Sequence, residues 1–343
     1  MAAVHKERGP LAQFVVAGSA TACACVFSNP MEVVKTRMQL QGELVTSTAA
    51  PAAASGAHTT GAPGVKFERP YRNALQAFSR IFREEGLRGI QAGLVPGVFY
   101  QVSMNGTRLT LYDTMQRLLR ADPVRDSPPA FFLKNLGAGA GCGAIGAFVG
   151  SPFFLVKARM QSQSDVHKIR TSGEEFRYRG MVDAFRSILR EDGARGLLRG
   201  ADAAMLRVMV GSAAQLSSYS QCKALVLSTG LFEDEFYAYL ASSLVAGLAV
   251  TTAMNPFDVI STRLYAQSSS SSSSLASGGR GGGASSGARY SGPLDCLLKT
   301  VRAEGPQGLY KGWTAHYFRL GPHTIFTFLF WEEFKKLATY LGY

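Results

Sequence analysis

The sequence predicts an all-α membrane protein, with six transmembrane helices in three pseudo-symmetric repeats and a short amphipathic helix in each repeat. Three observations carry that prediction. Residues 9–31, 135–156 and 236–257 hold no charged side chain, and each stretch is long enough to cross about 30 Å of hydrocarbon as a helix. Each ends in one pattern, a proline followed by places for an acid and a base: Pro30-Met31-Glu32-Val33-Val34-Lys35, Pro152-Phe153-Phe154-Leu155-Val156-Lys157 and Pro256-Phe257-Asp258-Val259-Ile260-Ser261. Downstream landmarks then return at fixed spacing. An acidic-Gly step (Glu85-Gly86, Asp192-Gly193, Glu304-Gly305) precedes by seven residues a second glycine (Gly93, Gly200, Gly312), and twenty residues later come Asp113, Ser220 and Glu332, each behind an aromatic. Spacings kept three times mark an internal repeat.

The elements follow in order. A tail, 1–10, leads into repeat one, 11–125, whose first span runs from Leu11 to Leu40 with Gly18, Ala22 and Cys25 as a stripe for close helix packing. Pro30 removes a backbone hydrogen bond and kinks the helix there, as Pro152 and Pro256 do in the equivalent spans. Residues 42–66, rich in Ala, Thr, Ser, Gly and Pro, read as a disordered insert. From Tyr71 to Glu85 an amphipathic helix sets Leu75, Phe78 and Phe82 on one side, and it lies along the membrane surface. The second span covers Gly93 to Leu119.

Repeat two, 126–230, opens with a span from Pro129 to Gln163. Its glycines from Gly137 to Gly143 superficially resemble a dinucleotide loop, but no strand precedes them, and glycines four apart in an apolar helix mark tight packing. A surface helix near Tyr178–Glu191 and a span from Gly200 to Leu227 follow. Repeat three, 231–343, has a span from Phe236 to Gln267, a Ser/Gly-rich insert at 268–288, a surface helix carrying Leu297 and Val301, and a last span from Gly312 to Tyr340.

Thirty-six Lys and Arg against 24 Asp and Glu give a net charge of +12. No basic patch with a nucleic-acid reading element exists; the cations gather at span ends, which suits an anionic substrate and anionic lipid. The five cysteines lack the paired spacing of a zinc site. No phosphate loop, metal cluster or nucleophile–base pair stands out, so the chain is expected to be no enzyme and to need no cofactor. Residues 1–10 hold no signal peptide or presequence pattern, so targeting is expected to be internal.

Thirteen residues before Asp113, Ser220 and Glu332 stand Tyr100, Arg207 and Arg319, at one depth near mid-membrane. With no acid at that level in the sequence, an intramembrane Arg is read as a ligand for substrate, and its planar fork suits a carboxylate or sulfate. The substrate so implied is a small dianion. Gln101 and Arg108 lie on or beside the same stripe, and His323 is a candidate protonatable group.

Three repeats of about a hundred residues with this proline motif resemble the mitochondrial carrier family, over nearly the whole chain. Phe153-Phe154-Leu155-Val156-Lys157, Asn255-Pro256-Phe257-Asp258-Val259-Ile260, Tyr100-Gln101 and Gln215-Leu216-Ser217-Ser218-Tyr219 resemble its oxaloacetate carrier branch, near the 2-oxoglutarate and dicarboxylate carriers. The resemblance implies a multi-pass monomer of the inner mitochondrial membrane with matrix-side surface helices, possible sites for cardiolipin, and alternating access. It implies a matrix gate pairing Glu32 with Lys157 and Asp258 with Lys35, braced by Gln39 and Gln161, while Phe154 and Ser261 stand where a third acid and base belong. It also implies a cytoplasmic gate in which Asp113 pairs with Lys223, with Glu332 and Lys335 beside them. Tyr100, Gln101, Arg207 and Arg319 match substrate contact points. Oxaloacetate is the leading substrate, with sulfate, malonate or related dicarboxylates. The alternatives are a 2-oxoglutarate, phosphate or nucleotide carrier, an anion or proton leak pathway, and a non-transporting scaffold. Arg207 argues against nucleotides, and two buried Arg argue against a scaffold.

Overall fold

The computed structural model describes residues 10–41, 71–120, 127–163, 178–228, 235–267 and 290–340. Both inserts and the 1–9 part of the tail lie outside the described residues. Six long helices dominate: α1 (Pro10–Leu40), α3 (Leu94–Leu118), α4 (Pro128–Ser162), α7 (Ala201–Ser228), α8 (Glu235–Ala266) and α10 (Trp313–Tyr340). They hold 25 to 35 residues, or roughly 37–52 Å at 1.5 Å per residue. Between them come α2 (Ala74–Ile90), then α5 (Met181–Glu191) with the single turn α6 (Gly193–Gly196), then α9 (Pro293–Glu304) with a 3-10 turn (Pro306–Tyr310).

The long helices form a closed ring in which α1 packs on α3, α3 on α4, α4 on α7, α7 on α8, α8 on α10 and α10 on α1; α1, α4 and α8 also meet one another. Two helices, Pro129–Ser162 and Ala241–Ala266, are by length and mean hydropathy (1.6 and 1.3) apolar enough to cross a membrane. The other four carry charges within their length. The helices α1, α4 and α8 continue through Pro30, Pro152 and Pro256, and α10 continues through Pro322, which carries no mark in the repeat.

The spacing of seven between repeat glycines has a conformational cause. Gly86, Gly193 and Gly305, and then Gly93, Gly200 and Gly312, take φ between 65° and 79° and are the positive-φ glycines of the described chain. In each repeat the first of the pair turns the chain at the end of the surface helix, Gly86 as a kink within α2, and the second turns it into the next long helix, at angles an L side chain resists. The second also sits against a neighbouring repeat: a Cβ on Gly93 would stand 3.1 Å from the Lys157 carbonyl oxygen, and one on Gly312 3.3 Å from that of Lys35.

Each surface helix presents one narrow face to the bundle. In α2 the face buried against the bundle is Ala74, Ala77 and Ile81, while Leu75 is 73% exposed and Phe82 47%. Leu75 and Phe82 therefore face away from the bundle, while Phe78 is half-buried and packs against the core. The same holds in α5, where Ala184 and Ile188 are buried and Val182 and Leu189 exposed, and in α9, where Cys296 and Thr300 are buried and Leu294, Leu298 and Val301 exposed. These buried residues seat each helix, Phe78, Phe185 and Leu297 pack partly against the core, and the exposed apolar residues point away from the protein.

Candidate functional site

The last turns of α1, α4 and α8 converge at one end of the ring. Between α1 and α4, Lys157 Nζ lies 2.7 Å from Glu32 Oε1. The Thr36 hydroxyl donates to Gln161 Oε1 at 2.9 Å, and Gln161 Nε2 donates to Asn29 Oδ1 at 3.3 Å. Between α8 and α1, Lys35 Nζ lies 2.6 Å from Asp258 Oδ2, Gln39 Nε2 donates to the same oxygen at 2.7 Å, and Thr262 donates to Gln39 Oε1. Both ion pairs are buried. In low dielectric such pairs depend on further hydrogen bonds to balance desolvation; Gln39 supplies one to Asp258, whereas Gln161 ties Thr36 to Asn29 beside the Glu32–Lys157 pair.

The α4–α8 interface is built differently. The Phe154 ring packs on Tyr265 with centroids 5.0 Å apart, and Tyr100 packs on the other side of Phe154 at the same separation. The hydroxyls of Ser151 and Tyr265 share a hydrogen bond of 3.0 Å. Ser261 Oγ is buried and has no hydrogen-bond partner among the described residues.

A second ring of charge lies outside the first. Arg37 forms a bidentate pair with Glu85 (2.6 and 2.7 Å), Arg159 stands 3.7 Å from Asp192, and Arg263 lies 2.8 Å from Glu304, which also takes Lys311 at 2.6 Å. Burial alone would raise the Glu304 carboxyl, but hydrogen bonds from Arg263 and Lys311 hold it below its ordinary value. Each Arg also reaches a carbonyl of the next repeat: Gln161 from Arg37, Tyr265 from Arg159 and Gln39 from Arg263. These arginines were not among the expected site residues, although an Arg two places after each base position is readable three times in the sequence.

One level further in lie the expected substrate contacts. Arg207 donates from NH2 to the Tyr100 hydroxyl at 2.8 Å, lies over the Phe154 ring with 4.9 Å to its centroid, and places NH1 3.7 Å from Asp258 Oδ1. Arg319 NH1 is 3.8 Å from Glu32 Oε1. The expectation that no acid reaches these cations is therefore corrected: the long guanidinium stems extend to the gate carboxylates. Both Arg keep a buried Nε–H with no acceptor among the described residues. His323 bridges Ser28 Oγ at 3.1 Å and Gln101 Nε2 at 3.4 Å, which places Gln101 in a polar cluster of α1, α3 and α10. Arg108 is half-buried on α3, two turns beyond Tyr100. His316, absent from the expectations, is fully buried 3.2 Å from Asn255 Oδ1 and 3.9 Å from Asp258.

Because α3, α7 and α10 begin at the end of the ring where these ion pairs lie, their C-termini lie at the opposite end. Lys223 and Lys335 are half-buried there and Glu332 is exposed; the side chain of Asp113 lies outside the described residues. Gln116, three residues after Asp113, donates to Asn135 Oδ1 at 2.8 Å.

A family model described as "Mitochondrial carrier protein" matches residues 6–123, 128–230 and 232–341. The mitochondrial substrate carrier family protein ucpA of Dictyostelium discoideum is 45% identical over 324 residues, 94% of this chain and 92% of that protein. The mitochondrial oxaloacetate transport protein of Schizosaccharomyces pombe is 38% identical, with 97% and 92% covered. The mitochondrial 2-oxoglutarate/malate carrier protein of Mus musculus is 36% identical, with 94% and 90% covered.

Proposed function

We propose that this chain, which belongs to the mitochondrial carrier family, moves small dianions across the inner mitochondrial membrane by alternating access, with oxaloacetate as its leading substrate. The family is one of transporters rather than enzymes, and its fold is an all-helical membrane fold. The observation that carries the substrate class is charge. Lys35, Lys157, Arg207 and Arg319 face Glu32 and Asp258 in one buried cluster, so four cations less two carboxylates leave two positive charges. An anion of charge −2 neutralises that excess, and the two free guanidinium Nε–H groups supply directional donors for its oxygens.

In this proposal Tyr100, Gln101, Arg207 and Arg319 contact the dianion, and Arg108 lends positive potential to its approach. Glu32, Lys35, Lys157 and Asp258, braced by Gln39 and Gln161, close the matrix side in the state described above. Asp113, Lys223, Glu332 and Lys335 form the opposing gate. Substrate draws charge from the central cluster and shifts the population between the two access states. The exposed apolar faces of α2, α5 and α9 support lipid contact on the matrix side, with cardiolipin as a candidate. One complete ring per chain supports a monomer.

Oxaloacetate leads through the likeness to the fission-yeast protein; sulfate and malonate share its charge. A second candidate, 2-oxoglutarate, has support from the likeness to the mouse carrier. The test is uptake of labelled oxaloacetate, sulfate and 2-oxoglutarate into liposomes holding the purified chain, against a panel of internal anions. Saturable uptake accelerated by an internal dianion is the expected result. Transport confined to 2-oxoglutarate overturns the substrate order, and a non-saturating chloride current overturns the carrier mechanism in favour of a leak.

A further inference from the structure

We propose that Arg207 is the third lock of the matrix gate, so that binding substrate and opening the α4–α8 interface are one event; the inference rests on the dianion-carrier reading above. Two of the three interfaces among α1, α4 and α8 are closed by Lys–carboxylate pairs, and at the third the acid place holds Phe154 and the base place Ser261. The hydroxyl of Ser261 is buried without a partner among the described residues, so it fastens none of them. Phe154 has instead become a platform. Its ring lies between Tyr100 and Tyr265, and the Arg207 guanidinium rests over it, 4.9 Å from the centroid.

Arg207 thereby touches three neighbours from its place on α7. It reaches α3 through the Tyr100 hydroxyl, α4 through the Phe154 ring and α8 through the free oxygen of Asp258. That oxygen, Oδ1, accepts no hydrogen bond among the described residues, while Oδ2 takes Lys35 and Gln39. A cation over a desolvated aromatic face is attracted by the ring quadrupole, and its charge also answers the carboxylate, so one side chain ties α4 to α8 in place of the missing pair. Among the described residues Arg319 lies over no aromatic ring and engages the Glu32 end of the cluster. A dianion that ligates Arg207 takes its donors from Asp258 and its charge from Phe154. The lock is released by the substrate itself and stays closed without it, which suppresses movement of the empty carrier.

The test compares full-length wild type with Phe154→Leu, Phe154→Tyr and the double variant Phe154→Asp/Ser261→Lys in liposomes. Each is measured for dianion uptake into vesicles with and without internal dianion, and each is first checked for folding by thermal unfolding in detergent. Phe154→Leu is expected to raise uptake into empty vesicles roughly tenfold, the middle of the cation–π range, with KM changed less than about twofold. Phe154→Tyr keeps the ring and restores coupling to the wild-type ratio. The double variant replaces the substrate-released lock by a fixed ion pair and lowers exchange Vmax with little change in KM. An unchanged ratio of exchange to empty-vesicle uptake in Phe154→Leu, or a change in KM alone, overturns the lock. If Phe154→Leu does not fold, an unchanged Vmax in the double variant overturns it. Wild type showing no saturable dianion uptake overturns the carrier reading and the lock together, whereas normal wild-type exchange with uncoupling absent in the variants overturns the lock alone.

Discussion

Lys35 Nζ stands 2.6 Å from Asp258 Oδ2, an ion pair that joins the first helix of the first repeat to the first helix of the third with both side chains out of solvent. The pair closes the circle of repeats, because α1 and α8 lie far apart in the chain yet adjoin at the gate. Its geometry also ranks the interactions of Asp258. Lys35 and Gln39 share one oxygen at hydrogen-bond distance, and Arg207 attends the other from 3.7 Å.

Lys35→Ala is expected to destabilise the chain by about 3 kcal/mol, since removing one partner of a buried pair leaves the other charge uncompensated. Exchange of the paired residues, Lys35→Asp with Asp258→Lys, should recover part of that loss because each charge again meets its opposite. Thermal unfolding of the two single variants and the double variant measures the coupling between the sites. Additive losses in the double variant would mean that the pair does not act as a unit.

The central charge excess makes a selectivity prediction. Arg319→Gln lowers the excess from two to one while leaving Glu32 with Lys157 at 2.7 Å. Dianion uptake should fall by about tenfold or more, the scale of one charge-assisted hydrogen bond, and a monocarboxylate should gain relative to a dicarboxylate. Arg319→Lys keeps the charge but loses the planar fork, so its defect should lie in KM rather than in the order of preference. Competition between labelled dianion and unlabelled monoanions reads both outcomes.

Gly312 faces a stricter limit than its helix position suggests. Its φ is 74°, and an added Cβ would lie 3.3 Å from the Lys35 carbonyl oxygen and 3.2 Å from Gln39 Cγ. Gly312→Ala is expected to cost about 1–2 kcal/mol for the left-handed backbone alone and to disturb the brace that Gln39 makes to Asp258. Gly321→Ala, where a Cβ meets only Leu244 Cδ2 at 3.7 Å, serves as the control. Equal unfolding temperatures for the two variants would contradict this account.

Much of this organisation is legible in the sequence, and the parts that are not share a physical reason. The acids and bases are legible after each proline, because a three-residue step keeps Glu32 and Lys35 on one helix face, and it is the resemblance to the carrier family that implies which acid meets which base. The depth of Arg207 and Arg319 follows from counting along the repeat. The reach of their side chains does not: an Arg stem spans a full helical turn, and its contact with Asp258 or Glu32 depends on how neighbouring helices tilt. Arg37 and Glu85 are each visible as repeat marks, but their pairing depends on the path of the intervening insert. The inward face of α2 was not legible, because Leu75 and Phe82 dominate any hydropathy pattern, whereas the face seated on the bundle is Ala74, Ala77 and Ile81.

The outer ring gives a pH dependence with a definite sign. Glu304 receives Arg263 and Lys311 at 2.8 and 2.6 Å, and these hold its folded-state pKa below that of the unfolded chain. A carboxylate depressed in this way contributes stability that is fully present above its unfolded pKa, about 4.3, and is lost as the pH falls through the folded value. Wild type should therefore exceed Glu304→Gln in unfolding temperature at pH 7, by an amount equivalent to about 2 kcal/mol for a charge-assisted hydrogen bond. The difference should hold down to about pH 5 and shrink below it. A gap that stays constant from pH 7 to pH 3 would mean that Glu304 acts by packing rather than by charge, and that α9 is seated on α8 by Cys296 and Thr300 without the help of Arg263.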